Sequence, residues 1–504
     1  MKRYLGFVTA FMILVFTGYL NAQFTQQGDK LVGNDAAVGS VSGSSVAISA
    51  DGNTAIVGGY ADNNIGAAWI FVRQNGVWTQ QGSKLVGTGA AGSAHQGYSV
   101  GISGDGNTVI IGGYTDNSNI GAAWIFTRSG GVWTQQGSKL VGTGAAGSSL
   151  QGSSVALSSD GNTAIVGGSN DNNRNGAAWV FTRSSGVWTQ QGSKLVSTDV
   201  TGTAGLGTAV SLSGDGNTAI VGGAYYSNST GGAWIFTRSG GVWTQQGSRL
   251  VGTGAAANDL LGVSADISAD GNTAIIGGQG NNGRVGAAWI FTRAGGTWTQ
   301  QSKIVGTGSI GQALQGSAVS LSSDGNTAVV GGAQDDNGKG AVWVFSRAGG
   351  TWTQLGNKLV GAGISGTTFI GYSAAISYDG NTIIAGGIYD NSRKGAAWVF
   401  IRELDPGAPI PAISYPVGGI TVYTTAPIVT WYITSYYPGA RYHLQVSEQY
   451  DFSTITFQKD NISAIQQEVT GLSGGKTYYV RVRLKTTQGQ YGYYSTVQSF
   501  KVQA

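Results

Sequence analysis

Ser99-Val100-Gly101-Ile102-Ser103-Gly104-Asp105-Gly106-Asn107-Thr108-Val109-Ile110-Ile111-Gly112-Gly113 reads as strand, tight turn and strand. The first five residues alternate apolar with small or polar side chains, the period of a half-buried strand. Asp105-Gly106-Asn107 favours the positive φ of a two-residue hairpin turn. Thr108 to Ile111 is a continuous apolar run, as in a strand covered on both faces. Beyond it, Tyr114 to Ile120 is a polar loop. Ala122 to Arg128 is a third strand, with Trp124 and Phe126 two apart on one face. Ser129-Gly130-Gly131 turns the chain into Val132-Trp133-Thr134-Gln135-Gln136, a fourth and more polar strand. Four short antiparallel strands in sequence make one propeller blade, with the first strand, rich in small residues, at the crowded axis.

The cassette is written seven times. Asp-Gly-Asn-Thr places Asp at 51, 105, 160, 215, 270, 324 and 379. Gly-Ala-Ala-Trp and its close variants place Trp at 69, 124, 179, 234, 289, 343 and 398. Trp-Thr-Gln occurs six times, with Trp at 78, 133, 188, 243, 298 and 352, and Phe24-Thr25-Gln26-Gln27 is its seventh copy. A fixed period above about 40 residues, built only of strand-like pieces, points to a propeller or solenoid. The seventh copy, after Ala396 to Arg402, enters the proline-rich stretch without a fourth strand. Phe24 to Leu31 is therefore expected to supply it and close the ring, which removes open sheet edges. The fold expected is all-β: a seven-bladed propeller closed by an N-terminal strand, followed by a C-terminal β-sandwich.

Composition sets the class. Glycine makes up 87 of 504 residues, and charged residues only 10%, well under the usual quarter, while 41% hydrophobic content supports a packed core. There is no cysteine, so disulfides and thiolate metal sites are excluded. The net charge is +4, of which Lys2 and Arg3 supply two, and Lys/Arg do not cluster, which argues against nucleic acid as partner. Lys2-Arg3, the apolar run Leu5 to Leu20 and Asn21-Ala22-Gln23 read as a signal peptide of residues 1–22. The run is shorter than the roughly 20 residues needed to cross a bilayer, so no membrane span is expected after its removal. All six prolines lie at or after 406, and Asp405 to Pro411 reads as a stiff linker. The expected division is 1–22 signal peptide, 23–404 propeller and 405–504 C-terminal β-domain.

The order Gly-x-Ser-Val, Asp-Gly-Asn-Thr-Ala-Ile-Val-Gly-Gly, Gly-Ala-Ala-Trp-Ile-Phe resembles the FG-GAP repeats of integrin α-subunit propellers and their bacterial relatives. Gly43, Gly97, Gly152, Gly207, Gly262, Gly316 and Gly371 match the glycine of the FG element. Gly58-Gly59 and its copies stand where that family has Gly-Ala-Pro. Members that bind calcium do so through alternating aspartates in the first hairpin. Here that hairpin holds one carboxylate, too few for the six to eight oxygens of calcium. The aspartates at 51 and its copies are expected to shape turns, with no metal and no cofactor. Leu472 to Val482 resembles the end of a fibronectin type III module, with Tyr478 as its corner tyrosine.

Chemistry is sparse. His95 and His443 are the only histidines and fall in different domains, so a His-based triad or metal site is not expected. Asp266 interrupts a first strand where other copies have Ala or Ser, and is expected to line a central channel. The most varied segments are the loops after each Gly-Gly. They mix aromatic, amide, carboxylate and Arg groups, suited to sugar or protein surfaces. Tyr60, Asp62, Tyr114, Asp116, Asp171, Arg174, Tyr225, Tyr226 and Asp390 are the candidate ligand-binding residues. The expected function is a secreted or cell-surface binding or adhesion protein, not an enzyme, with an extracellular protein or glycan as partner. Alternatives are a glycan-binding lectin and, less favoured, a polysaccharide-acting enzyme using Asp266.

Overall fold

The computed structural model describes residues 24–200, 202–402, 410–434, 437, 439–449, 452, 455–485, 491–492 and 494–503. The residues read as a signal peptide, 1–22, and all but the end of the stretch read as a proline linker lie outside them. The described residues are nearly all strand, turn and loop, and seven of their sheets are four-stranded and antiparallel. In the second repeat the strands are Ser99–Ile102, Thr108–Gly113, Ala122–Ser129 and Val132–Gln135, paired in that order. Phe24–Gln26 pairs antiparallel with Ala396–Arg402, with Phe24 opposite Arg402 and Gln26 opposite Phe400. The start of the described chain thus completes the sheet formed by its last repeat.

The innermost strands contact one another in sequence, and Ser373–Ile376 returns to Ser45–Ile48. Just past their ends runs a ring of backbone hydrogen bonds. Ala50 donates to Gly104, Gly104 to Ser159, Ser159 to Gly214, Gly214 to Ala269, Ala269 to Ser323, Ser323 to Tyr378 and Tyr378 back to Ala50, at 2.9–3.2 Å. The architecture is that of a β-propeller.

Each repeated residue type has a mechanical reason. Trp124 is fully buried and packs with Phe126, Val100, Ile111, Ile56, Ile70 and Leu85, residues of its own and the preceding sheet. Deleting such an indole would cost about 3–5 kcal/mol. Gly97 has φ +84°, and a Cβ there would lie 2.2 Å from the carbonyl oxygen of Ala67, so only glycine fits.

The outer strand carries a clip. Arg128 stacks on Trp133, and the Arg128 guanidinium and the Trp133 indole both donate to Oε1 of Gln81 in the preceding sheet. Arg183, Trp188 and Gln136 repeat the arrangement, and Arg73, Trp78 and Gln27 bring the N-terminal strand into it. Asp105 accepts from Ser103 Oγ, the Asn107 amide and Asn107 Nδ2, while Asn107 Oδ1 accepts from Arg128 Nε. The Asp-Gly-Asn-Thr aspartates therefore do shape their turns.

The C-terminal residues form a three-stranded and a five-stranded sheet around one core, which includes Trp431, Leu444, Val480, Tyr478 and Phe500. Tyr478 Oη accepts the Ser473 amide at 2.8 Å.

Candidate functional site

The inner strands run from one end of a narrow channel to the other. The entry loops and the loops after Gly-Gly gather at one end, and the Asp-Gly-Asn-Thr turns at the opposite end. The channel, about 230 Å³, is lined by all seven inner strands and by Asp266. Asp266 faces its lumen, but both carboxylate oxygens are occupied. Ser211 Oγ and the Ile267 amide donate to one, Ser320 Oγ and the Leu321 amide to the other, at 2.7–3.2 Å. Burial nevertheless outweighs these donors and raises its carboxyl above the usual range. Asp266 thus bridges three neighbouring sheets.

Four of the sequence-derived candidates lie inside the protein. Asp116 is buried. One of its oxygens accepts the Ala91 amide at 2.7 Å, and the other pairs with Lys139 Nζ at 2.5 Å. Asp62 pairs with Lys84, Asp171 with Lys194 and Asp390 with Lys30, each also accepting an entry-loop amide. Where the carboxylate is replaced, the cation changes partner. Tyr226 stands at the equivalent position of the fourth repeat, and the Arg249 guanidinium lies 4.7 Å from its ring. At Asn281 of the fifth repeat, Lys303 turns to the face of Trp289 instead, 4.9 Å away. This internal compensation, legible in the repeat alignment, identifies the position as a clip between loop and strand.

The amide-rich character of these loops also has a backbone cause. Asn117, Ser118 and Asn119 all take positive φ, as do Asn172, Asn173 and Arg174, and Asn391, Ser392 and Arg393. Asn tolerates the left-handed region better than most residues. Arg174 sits at the end of such a turn, its guanidinium 5.0 Å from the ring of Tyr225.

The tyrosines remain, and no repeat rule calls for them. Tyr60 and Tyr114 follow their Gly-Gly pairs where other copies have Ser169, Ala224, Gln279, Ala333 and Ile388. Tyr98 and Tyr372 follow Gly97 and Gly371, where the other repeats have Ser44, Ser153, Thr208, Val263 and Ser317 after the equivalent glycine. His95 takes φ +55° where Leu150, Leu260 and Leu314 take +58°. The deviations converge. Tyr98 lies 4.3 Å from Tyr114 and 5.5 Å from Tyr60, and His95 stacks on Tyr114 at 5.5 Å. Burial pushes the Tyr98 phenol well above its ordinary value, and Tyr372, Tyr114, Tyr60 and Tyr225 push it further. In the adjoining seventh sheet Phe369 packs edge-on against Tyr389 at 5.0 Å. One sector of the channel mouth, spanning the seventh, first and second sheets, is thus aromatic. The sequence reading missed Tyr98, Tyr372 and His95 as members of the site, because it weighed each loop alone.

Beside this sector is an open groove of about 510 Å³ between the entry loop and the post-Gly-Gly loop of the second sheet. At the opposite end, a cavity of about 760 Å³ separates the Asp51, Asp105, Asp160 and Asp379 turns from the C-terminal sheets. Arg481 is sandwiched there between Phe452 and Tyr494, 4.0 and 4.1 Å from their rings, and donates to Gln445 Oε1. Arg483 Nη2 approaches Asp379 Oδ2 at 3.6 Å. The end carrying the Asp-Gly-Asn-Thr turns is thus the one that faces the C-terminal sheets. No group of three or more His, Cys, Asp or Glu able to hold a metal occurs among the described residues. Nor is any helix among them long and apolar enough to cross a membrane.

Comparison with known proteins finds several solved structures similar to this chain at low sequence identity. The chain is similar to hydrazine synthase of Kuenenia stuttgartiensis, 14% identical over 74% of this chain and 97% of that one, with a TM-score of 0.47. A putative 6-phosphogluconolactonase from Bacteroides uniformis is 14% identical over 63% and 85%, with a TM-score of 0.45. A periplasmic gluconolactonase from Pseudomonas aeruginosa is 17% identical over 64% and 86%, with a TM-score of 0.44. No protein-family model matches the chain, and no curated protein does so by sequence. The expectation that the chain is not an enzyme is corrected here. Two of these similar structures are lactonases, so the fold gives no ground for excluding catalysis.

Proposed function

We propose that this chain is an exported binding or adhesion protein that seats an extracellular ligand on the aromatic sector of its channel mouth. The reading includes a signal peptide over 1–22, a seven-bladed FG-GAP-like propeller over 23–404 and a fibronectin type III-like β-sandwich over 405–504. The ring of seven backbone hydrogen bonds and the pairing of Phe24–Gln26 with Ala396–Arg402 support the blade count. The Tyr478–Ser473 hydrogen bond supports the corner tyrosine of the C-terminal unit.

One observation carries the functional part. At the buried Trp, the tight Gly and the Asp-Gly-Asn-Thr positions the copies agree, whereas Tyr60, Tyr98 and Tyr114 depart from the repeat together and in ring contact, with Tyr372 near enough to act on Tyr98 electrostatically. Large partly exposed aromatic rings supply contact area at low entropic cost, which is what a binding surface needs.

The test is adhesion of beads coated with the protein to surfaces bearing collagen, fibronectin or plant and bacterial polysaccharides. Tyr98→Ser with Tyr114→Ser restores the residues of the third repeat and should abolish retention on whichever surface binds. Retention unchanged in that variant would sink the assignment of the ligand face.

A further inference from the structure

Resting on that reading, we infer that the ligand is a neutral saccharide, and that the groove formed by 91–95 and 115–119 holds one of its sugar units. The groove is lined by Ala91, Gly92, Ser93, His95, Thr115 and the turn Asn117 to Asn119. None of these side chains carries a fixed charge. The nearest carboxylate, Asp116, is buried and spent on Ala91 and Lys139. A phosphate, sulfate or uronate would find no guanidinium or ammonium here, whereas Asn and Ser groups offer donors and acceptors in the mixture that hydroxyls require.

The hydrogen bonds fix which atom of His95 is available. Thr115 Oγ1 donates its proton to the Ser93 carbonyl oxygen and lies 2.9 Å from His95 Nδ1. With that proton committed, the oxygen accepts from Nδ1–H, so in the neutral imidazole Nε2 carries the lone pair. Among the described residues Nε2 has no protein partner, and it is not one of the buried unsatisfied atoms. Burial also lowers the imidazole pKa, which keeps the ring an acceptor. A sugar hydroxyl donating to Nε2 would lie beside the His95 ring, which Tyr114 stacks against and holds in place, and the imidazole edge would meet the C–H groups of the same sugar. The third repeat, with Leu150 and Ser169 at these positions, offers neither the acceptor nor the ring.

The experiment is a glycan array carrying neutral, sulfated and uronic-acid oligosaccharides, followed by calorimetric titration of the best neutral binder. Three single variants are compared: His95→Leu, Tyr114→Ser and Asn119→Ser. Each takes its new residue from another repeat (Leu150, Ser169, Ser229), where the backbone already accommodates it, and thermal melting checks the fold. The expected result is binding of neutral oligosaccharides, with Kd raised tenfold or more by His95→Leu and by Tyr114→Ser at unchanged melting temperature. Binding confined to the sulfated or uronic-acid oligosaccharides, and lost in the same variants, would overturn the neutral class while leaving the binding function standing. Neutral sugars bound equally well by folded variants would overturn the groove. An array without any binder overturns the inference outright.

Discussion

The phenol oxygen of Tyr378 lies 2.6 Å from the hydroxyl of Ser159, which places a seventh-sheet side chain across the axis onto the third sheet. Equivalent positions hold Ala50, Gly104, Ser159, Gly214, Ala269 and Ser323, none of which reaches that far. Tyr378 lines both the channel and the cavity beneath it, so its ring is the floor between them. Tyr378→Phe loses one hydrogen bond and should cost about 1 kcal/mol in urea denaturation. Tyr378→Ser should keep the fold and join the two spaces, seen as one continuous solvent column in a crystal structure of the variant. Two spaces still separate in that structure would mean another group forms the floor.

Gln136 is where two sheets are clipped together. Its Oε1 accepts from both Arg183 and Trp188, at 3.1 and 2.9 Å. Gln136→Ala strands both donors at a half-buried site and should cost about 1–2 kcal/mol. Gln136→Glu keeps an acceptor and adds a charge opposite the guanidinium, so it should melt at or above the parent temperature. Equal destabilisation by both substitutions would show that packing of the side-chain stem, not the shared acceptor, is what the clip provides.

Asp116 and Lys139 test whether the loop carboxylates are structural. Asp116 is buried, so Asp116→Ala leaves the ammonium without its partner and should cost about 3 kcal/mol. In Asp116→Ala combined with Lys139→Met no stranded charge remains, and most of that loss should return. The fourth repeat, where Tyr226 and Arg249 replace the pair, already shows a carboxylate-free solution. Chemical denaturation of the single and double variants decides the matter. If the double variant is as unstable as the single one, the Ala91 amide, not the ion pair, is the group that needs Asp116.

The strands, their order and the closing role of Phe24 were legible because each follows from a local pattern repeated seven times. The aspartates of the post-Gly-Gly loops were overread as ligand groups. Their partners, Lys84, Lys139 and Lys194, lie 22 or 23 residues downstream and meet them only when the sheet is built. A column-by-column comparison would have exposed the pair, since Asp and Lys change together in the fourth repeat. The aromatic sector needed the ring order, because Tyr372 of the seventh sheet comes within electrostatic reach of Tyr98 of the second only when the seventh sheet sits beside the first. Contact between the Asp-Gly-Asn-Thr turns and the C-terminal unit could not be read at all. It depends on Arg481 and Arg483, two ordinary strand residues until the sheets are docked.

His443 gives the C-terminal unit a pH dependence whose sign is fixed. It is buried with Asp460 Oδ1 at 3.5 Å, and Tyr491 and Tyr494 pack edge-on against it. Burial lowers its pKa; Arg483 lowers it further, and Asp460 and Asp379 oppose, without reversing the shift. Below about pH 6.5 the unfolded chain takes up a proton that the folded chain refuses, so stability is full above that pH and falls as pH drops towards the folded value. The slope is at most about 1.4 kcal/mol per pH unit, and it ends once the folded imidazole also protonates. Asp160, Asp215 and Asp270 do not confuse the reading. Burial raises their carboxyls, but hydrogen bonds from Ser and Asn outweigh it and the net shift is downward. Their contribution is therefore complete above roughly pH 4 and lost only below it. Urea denaturation of the C-terminal unit within the full chain, followed by a fluorophore on Lys501→Cys (the chain has no other cysteine) at pH 7.5, 6.5 and 5.5, should show the midpoint falling in the last interval. His443→Gln should flatten that fall. A midpoint equally sensitive in His443→Gln would assign the dependence to another group, with Asp460, whose carboxyl sits beside Lys485 and Tyr491, the next to substitute.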